Sequence, residues 1–291
     1  MAVRWKVLDS ASARGLNTFV FWLALPSLLL SSVARSALTE LLDWRLLSVF
    51  YGVNIILYVG SFLVGRLLWG DPPGVAGLRS LGVIWGNYGY LGIPLLMAVL
   101  GPAGALPAVT VVTFDILLPA SLTIALLEAG SSGQAPLAGV RRALGGIARN
   151  PLILAVATGI ILSTAGLDLP AAAANFLALL GNAAGPCALV ALGAALALSP
   201  SGGASRDVTM LAVLKLLANP ALVWLAGSYL IVLAPQQLAA VTLLAAMPTA
   251  SSVFVLAQRY ETWVVRASTS VLVTHIGSVA TLGALLYLFS R

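Results

Sequence analysis

The sequence predicts an all-α integral membrane protein, and three observations carry that prediction. The chain is 60% hydrophobic and 8% charged, with a mean hydropathy of +1.03, where a soluble domain carries about 25% charged residues. Its apolar runs are long and continuous, enough to cross a hydrocarbon core of about 30 Å as helices, whereas barrel strands would alternate apolar and polar residues. Glycine (28) and proline (15) are frequent, as helices packed in a membrane allow.

Nine transmembrane helices are expected, near 15–34, 46–68, 77–100, 104–128, 150–167, 172–198, 208–232, 235–258 and 266–289. Turn signals separate them at Asp71-Pro72-Pro73-Gly74, Gly101-Pro102, Asp168-Leu169-Pro170, Pro200-Ser201-Gly202-Gly203 and Ala234-Pro235. Pro151 reads as a first-turn proline after Asn150. The segment 133–149, with Arg141, Arg142 and Arg149, reads either as a polar-faced cytoplasmic helix at the interface or as a plain basic loop.

Arginine and lysine set the orientation. With the N-terminus in the cytoplasm, Arg4, Lys6, Arg14, Arg66, Arg79, Arg141, Arg142, Arg149, Arg206, Arg259 and Arg266 face inward. Arg35, Arg45 and Arg291 face outward. The C-terminus is therefore expected outside. The net charge of +6 flanks the spans and forms no basic-aromatic patch, which argues against nucleic acid as a partner. Arg4 and Lys6 precede no short apolar run with a cleavage site, so no signal peptide is expected. Cys187 is the single cysteine, which excludes an internal disulfide.

Two segments combine helix breakers with hydrogen-bonding side chains in the middle of apolar runs. They are Gly86-Asn87-Tyr88-Gly89-Tyr90-Leu91-Gly92-Ile93-Pro94 and Ala246-Met247-Pro248-Thr249-Ala250-Ser251-Ser252. A break at membrane depth frees backbone groups that lipid cannot satisfy, so it belongs inside protein or beside a watery cavity. Pro94 and Pro248 are read as the residues that unwind each helix, with Gly89 and Gly92 permitting the unwound geometry. Asn87, Thr249, Ser251 and Ser252 supply donors and acceptors. The half-helix N-termini offer free N–H groups and partial positive charge that suit an anion. An ordinary proline kink would explain either break taken alone.

The breaks recur at matched places. Leu8-Asp9 precedes a helix with Pro26, and Leu167-Asp168 precedes one with Pro186. The Pro94 and Pro248 helices each follow two elements later. In the expected topology the matched helices run in opposite directions, which is an inverted five-helix repeat with its binding site at the breaks. The repeat implies ten helices, with one expected upstream of Met1.

Asp115, Lys215, His275, Asn54 and Asn87 all fall near mid-depth at 1.5 Å per residue. Asp115 reads as a proton- or cation-coupling carboxylate, as a partner for Lys215, or as a protonated group between helices. Lys215 reads as a cation that attracts an anionic substrate or neutralises Asp115, or as a side chain snorkelling to the cytoplasmic face. His275 reads as a proton relay or as a packed histidine bonded to a carbonyl. Pro26, Pro186 and Pro220 read as shaping helix packing, and Gly159, Gly181, Gly185 and Gly193 as small packing faces. No HExxH, GxSxG, CxxC or phosphate-binding loop is present, so no catalytic residue, metal site or cofactor is expected, and the chain is not read as an enzyme.

The order and spacing of several pieces resemble the auxin efflux carrier family of bacterial transporters, which has malonate-transporter-like members. The pieces are Gly15-Leu16-Asn17 to Ala24-Leu25-Pro26, Asn87 to Pro94 with Gly101, Arg149-Asn150-Pro151-Leu152, Gly185-Pro186 with Ala191-Leu192-Gly193, Lys215 to Pro220, and Ala246-Met247-Pro248-Thr249. The resemblance covers essentially the whole chain. It implies a fold like that of bile-acid/sodium symporters, with ten helices, two crossing broken helices and an elevator mechanism. By position the scaffold part would be 15–34 and 150–198, and the core transport part 46–128 and 208–289. It also implies a homodimer through the scaffold helices. The family's first helix, absent from this chain, belongs to that scaffold.

The reading is a secondary active transporter of small organic anions, chiefly carboxylates, in a bacterial inner membrane, with H+ or Na+ coupling open. Its substrate site would comprise Asn87, Tyr88, Gly92, Ile93, Pro94, Met247, Pro248, Thr249, Ser251 and Ser252. Asp115, Lys215, Asn54 and His275 would set charge and coupling. The alternatives are a substrate-sensing receptor or scaffold that does not transport, and an intramembrane enzyme using Asp115 and His275.

Overall fold

The computed structural model describes residues 9–34, 43–101, 105–132, 151–184, 186–187, 190–191, 194, 202 and 205–289. Among these the chain is helical and holds no strand beyond one isolated backbone bridge. The segment 133–149, Gly185 and Gly193 lie outside the described residues. Two compact units form. Unit 1 gathers Met1–Asp43, Gly89–Thr113 and Gly146–Ser199; unit 2 gathers Trp44–Tyr88, Phe114–Gly145 and Pro200–Arg291.

In unit 1, Asp9 caps α1 (Ser10–Phe19). Its carboxylate accepts from the Ser12 N–H at 2.7 Å and the Ser12 hydroxyl at 2.8 Å. These bonds hold its carboxyl below the usual carboxylate range. A π-helical turn, Val20–Ala24, leads into α2 (Leu25–Val33). α2 packs on α8 (Pro151–Thr164) and α9 (Ala171–Asn182). Glycines make the approach close: a Cβ at Gly159 would come within 2.8 Å of Val33 Cβ, and one at Gly181 within 3.2 Å of Leu28 Cα. α8 opens on Pro151, and in the turn just past its end Gly166 has a φ of +63°, which suits glycine.

In unit 2, α3 (Trp44–Leu63) continues through a π turn, Val64–Leu68, and α4 (Pro73–Ile84) returns against it. α7 (Ser121–Ser132) covers α4. Between them in sequence lie α5 (Ile93–Leu100) and α6 (Ala105–Asp115), which belong to unit 1 as far as Thr113, followed by the π turn Ile116–Ala120. Later come α10 (Arg206–Val213), the π turn Leu214–Ala218, α11 (Asn219–Leu225) and the π turn Ala226–Leu230, running on as one helix. Then follow α12 (Pro235–Ala245), α13 (Ser251–Arg259) and α14 (Val264–Phe289).

Among the described residues, three helices are long and apolar enough to cross a membrane: Trp44–Leu68, Arg206–Leu230 and Val264–Phe289. Shorter apolar helices cover Val20–Ser31, Tyr88–Leu100, Leu118–Leu127, Leu154–Thr164 and Ala171–Asn182. α14 shows why such a helix is stable here. Ser268, Thr269, Ser270, Thr274, His275 and Ser278 point inward, while Ile276, Val279 and Leu288 stay exposed as an apolar outer face.

Trp44–Leu68 and Arg206–Leu230 have equal lengths of 25 residues. Each ends in a π turn whose second residue is glycine, Gly65 or Gly227, and a proline-started helix follows from Pro73 or Pro235. These matched residues are all 162 positions apart. The exit loops match too: the Asp71 N–H donates to the Gly65 carbonyl at 3.0 Å, and the Leu233 N–H to the Gly227 carbonyl at 2.9 Å. The two long helices run antiparallel, since Arg45 at the start of one donates to the Val232 carbonyl just past the end of the other, at 2.8 Å.

Arg79 departs from its expected place among the inward-facing loop charges. It lies within α4, 1% exposed. There it pairs with Asp71 and stacks 4.4 Å over the Trp69 ring. The guanidinium fills the space beside Gly65 where a Cβ would stand. Gly65→Ala is therefore expected to break a buried ion pair and to lower stability by about 2 kcal/mol or more. Thermal unfolding of detergent-purified protein checks this. Gly60→Ala, with nothing within 4 Å of its Cβ position, should leave the melting temperature unchanged or raise it slightly.

Candidate functional site

Both expected helix breaks are present, and they meet. α4 stops at Ile84, and Trp85–Asn87 are extended before the chain turns into Tyr88–Gly92. α12 stops at Ala245, and α13 begins only at Ser251. The Asn87 N–H donates to the Pro248 carbonyl at 2.8 Å and the Ala250 N–H to the Trp85 carbonyl at 2.9 Å, with Gly86 opposite Thr249 in an antiparallel bridge. Each break thus satisfies backbone groups that the other exposes. Gly86 must be glycine, because a Cβ there would collide with the Tyr88 ring and lie 3.1 Å from Met247 Cβ.

The first break does not fall at Pro94. Pro94 sits in the first turn of α5, just after the π turn Tyr88–Gly92. The wider turn accommodates a ring that would strike the carbonyl four residues earlier in a regular helix. Pro26 and Pro220 stand in the same relation to Val20–Ala24 and Leu214–Ala218, each two residues beyond the turn. Pro248, by contrast, lies within the extended break itself.

Side chains tie the bridge to α4 and α14. Thr249 donates its hydroxyl to the Gly82 carbonyl at 2.9 Å, and its N–H donates to Thr274 Oγ1 at 3.1 Å. Thr274 in turn donates to the Ser270 carbonyl at 2.8 Å. His275 Nδ1 lies 2.7 Å from the Val271 carbonyl, so that nitrogen carries the proton and donates. Its Nε2 is then an acceptor, and Asn87 Nδ2 donates to it at 3.1 Å. His275 is therefore bonded to a carbonyl and at the same time orients Asn87.

The ionisable groups lie close by in unit 2. Lys215 is fully buried and donates to the Ile84 carbonyl at 3.1 Å, with the Tyr88 ring 5.6 Å from Nζ. It does not snorkel. Tyr88 donates its hydroxyl to the same carbonyl at 2.8 Å. Asp115 Oδ1 accepts from the Tyr51 hydroxyl at 2.8 Å, and Oδ2 has no hydrogen-bond partner. Among the described residues no ion pair joins Asp115 to Lys215. Asn219 donates to Asn54 Oδ1 at 3.1 Å, and the remaining atoms of that pair, Asn54 Nδ2 and Asn219 Oδ1, have no partner.

Unit 2 thus brings together Asn87, Tyr88, Pro248 and Thr249 with His275 and Lys215. Met247 is fully buried at the break, Ser251 is half-buried and Ser252 is exposed. Gly92, Ile93 and Pro94 pack in unit 1. Tyr51, Asn219, Thr274 and Gly82 were not singled out from the sequence. Asn219, directly before Pro220 in a span, and Thr274, adjacent to His275, were the legible signals.

A family model described as membrane transport protein matches residues 1–286. A protein of Rhizobium meliloti (strain 1021) named "Putative malonate transporter" is 32% identical over 274 residues, covering 94% of this chain and 86% of the relative. A protein of Methanothermobacter thermautotrophicus named "Uncharacterized transporter" is 29% identical over 262 residues, covering 86% of this chain and 80% of the relative.

Thr274→Val should orphan the buried Thr249 N–H and cost about 1–3 kcal/mol, read as a lower melting temperature. Thr274→Ser, which keeps the acceptor, should recover most of it.

Proposed function

The chain belongs to the membrane transport protein family, the auxin efflux carrier family that its motifs resemble, and from that premise we propose that it is an elevator-type secondary transporter of small organic anions, carboxylates first among them. It is a multi-pass membrane transporter and not an enzyme. The setting in this proposal is the bacterial inner membrane, with the N-terminus inside as the arginine distribution favours.

One observation carries the anion site: the paired breaks, with Asn87 held by His275 beside them. Asn87 offers an amide that binds either a carboxylate or a free backbone group. The first turn of α13, opening at Ser251 directly after the bridge, supplies N–H groups that helical bonding leaves free. Discontinuous helices whose half-helix ends point at the substrate are how such carriers bind ligands near mid-membrane. The name of the relative from Rhizobium meliloti makes malonate the first anion to try.

The moving body in this proposal is centred on unit 2, which carries both breaks with Asp115, Lys215 and His275. The static body is centred on the helices of 15–34 and 150–198, which would also form a homodimer contact. The 162-residue spacing and the antiparallel course of the two long helices support an inverted repeat. A gradient of H+ or Na+ would drive accumulation, with Asp115 as the group that takes up the coupling charge.

The test is counterflow of labelled carboxylates, malonate included, in proteoliposomes. Saturable counterflow of one anion is expected. A hydrogen bond to a charged group is worth about 1.5–3 kcal/mol, so Asn87→Ala should weaken apparent affinity roughly tenfold to a hundredfold. Counterflow unchanged by Asn87→Ala would remove the breaks as the substrate site.

A further inference from the structure

The C-terminal end of α4 is a half-helix end inside a membrane protein, where unpaired carbonyls carry partial negative charge. In carriers built on discontinuous helices, such ends are where a coupling cation is held. Here the Leu81, Gly82 and Ile84 carbonyls at that end are taken by the protein itself. The Trp85 N–H donates to the Leu81 carbonyl at 2.7 Å. The Thr249 hydroxyl takes the Gly82 carbonyl, and Lys215 Nζ takes the Ile84 carbonyl together with the Tyr88 hydroxyl.

Lys215 has the other features of a bound cation. It is 0% exposed. Its Nζ sits 5.6 Å from the centre of the Tyr88 ring, within the range at which a ring attracts a cation. Among the described residues it closes no ion pair with any carboxylate. A lysine brought to this depth is costly unless a fixed set of negative dipoles receives it, and the Ile84 carbonyl and the Tyr88 ring form that set.

We propose that Lys215 is a tethered cation standing where a coupling metal ion would bind at the end of α4, so that the carrier binds and requires no Na+ or other alkali cation. The inference rests on the paired breaks being the transport site, and it assigns the coupling of that site: with the metal position filled by a side chain, the proton is the ion left to couple.

The experiment is thermal unfolding of the purified full chain in detergent, in sodium chloride and in choline chloride of equal ionic strength, which needs neither substrate nor flux. The wild type should melt at the same temperature in both. Lys215→Ala should melt several degrees lower in choline and recover in sodium or methylammonium chloride, because the vacated carbonyl end then accepts a free cation. Stabilisation of the wild type by sodium overturns the proposal. So does a Lys215→Ala protein that responds to no cation, whatever its melting temperature. Where Lys215→Ala does not fold, Lys215→Met, which keeps the apolar stem, is measured with the same outcomes. Failure of carboxylate counterflow alongside the expected cation responses would count against the substrate assignment and leave the role of Lys215 standing.

Discussion

A main-chain N–H or C=O released from a helix at membrane depth must find its partner within the protein, because lipid offers none. Two interrupted helices in one chain would each be costly alone. Here the Asn87 N–H and the Trp85 carbonyl of one break bond the Pro248 carbonyl and the Ala250 N–H of the other. That pairing explains why Gly86 has no side chain and why Thr249 spends both its hydroxyl and its N–H on fixed partners. It also explains why α14 carries hydroxyls and an imidazole on its inward face. The polar groups that belong at a site are also the ones that make the break affordable.

Proline acts in two ways in this fold. Pro248 lies in an extended segment and helps hold it open. Pro26, Pro94 and Pro220 lie inside continuing helices, each two residues past a π turn. The ring's missing donor and its clash with the preceding turn are absorbed there by one locally wider turn, and the helix goes on. The same residue type therefore marks a break in one place and a bulge in three others. What separates them is whether a partner strand of backbone is present to receive the freed groups.

Buried charge follows the same logic of prior commitment. Arg79 spends its charge on Asp71 and Trp69 and shapes the turn from α3 to α4. Asp207 accepts from the Trp263 indole at 2.9 Å and from Arg266 at 3.2 Å, tying the start of α10 to the start of α14. Asp115 and Lys215 differ from these. Each has one neutral partner, Tyr51 or Ile84, and neither is closed into an ion pair. Among the described residues, Asp115 and Lys215 are buried ionisable groups left outside any ion pair.

Membrane class, three long spans and the existence of two breaks were legible in the residues, and so were Asn87, Thr249, Lys215, Asp115 and His275 as polar groups that the fold buries. Hydropathy reports burial in lipid directly, and a polar or helix-breaking residue inside an apolar run has no local reason to be there. The position of the first break was not legible. Pro94 is the strongest breaker in its segment, yet a local signal cannot say whether a π turn absorbs it or the helix opens. That outcome depends on Pro248, some 150 residues away, lending its carbonyl to Asn87. Nor could spacing along the chain decide whether Asp115 and Lys215 bond each other. Depth puts them in one plane, but direction around each helix axis decides the partner, and packing sets that direction: Tyr51 of α3 reaches Asp115 first, and the Ile84 carbonyl of α4 reaches Lys215. Composition and periodicity determined what must be buried, and only the tertiary structure decided which buried groups face one another.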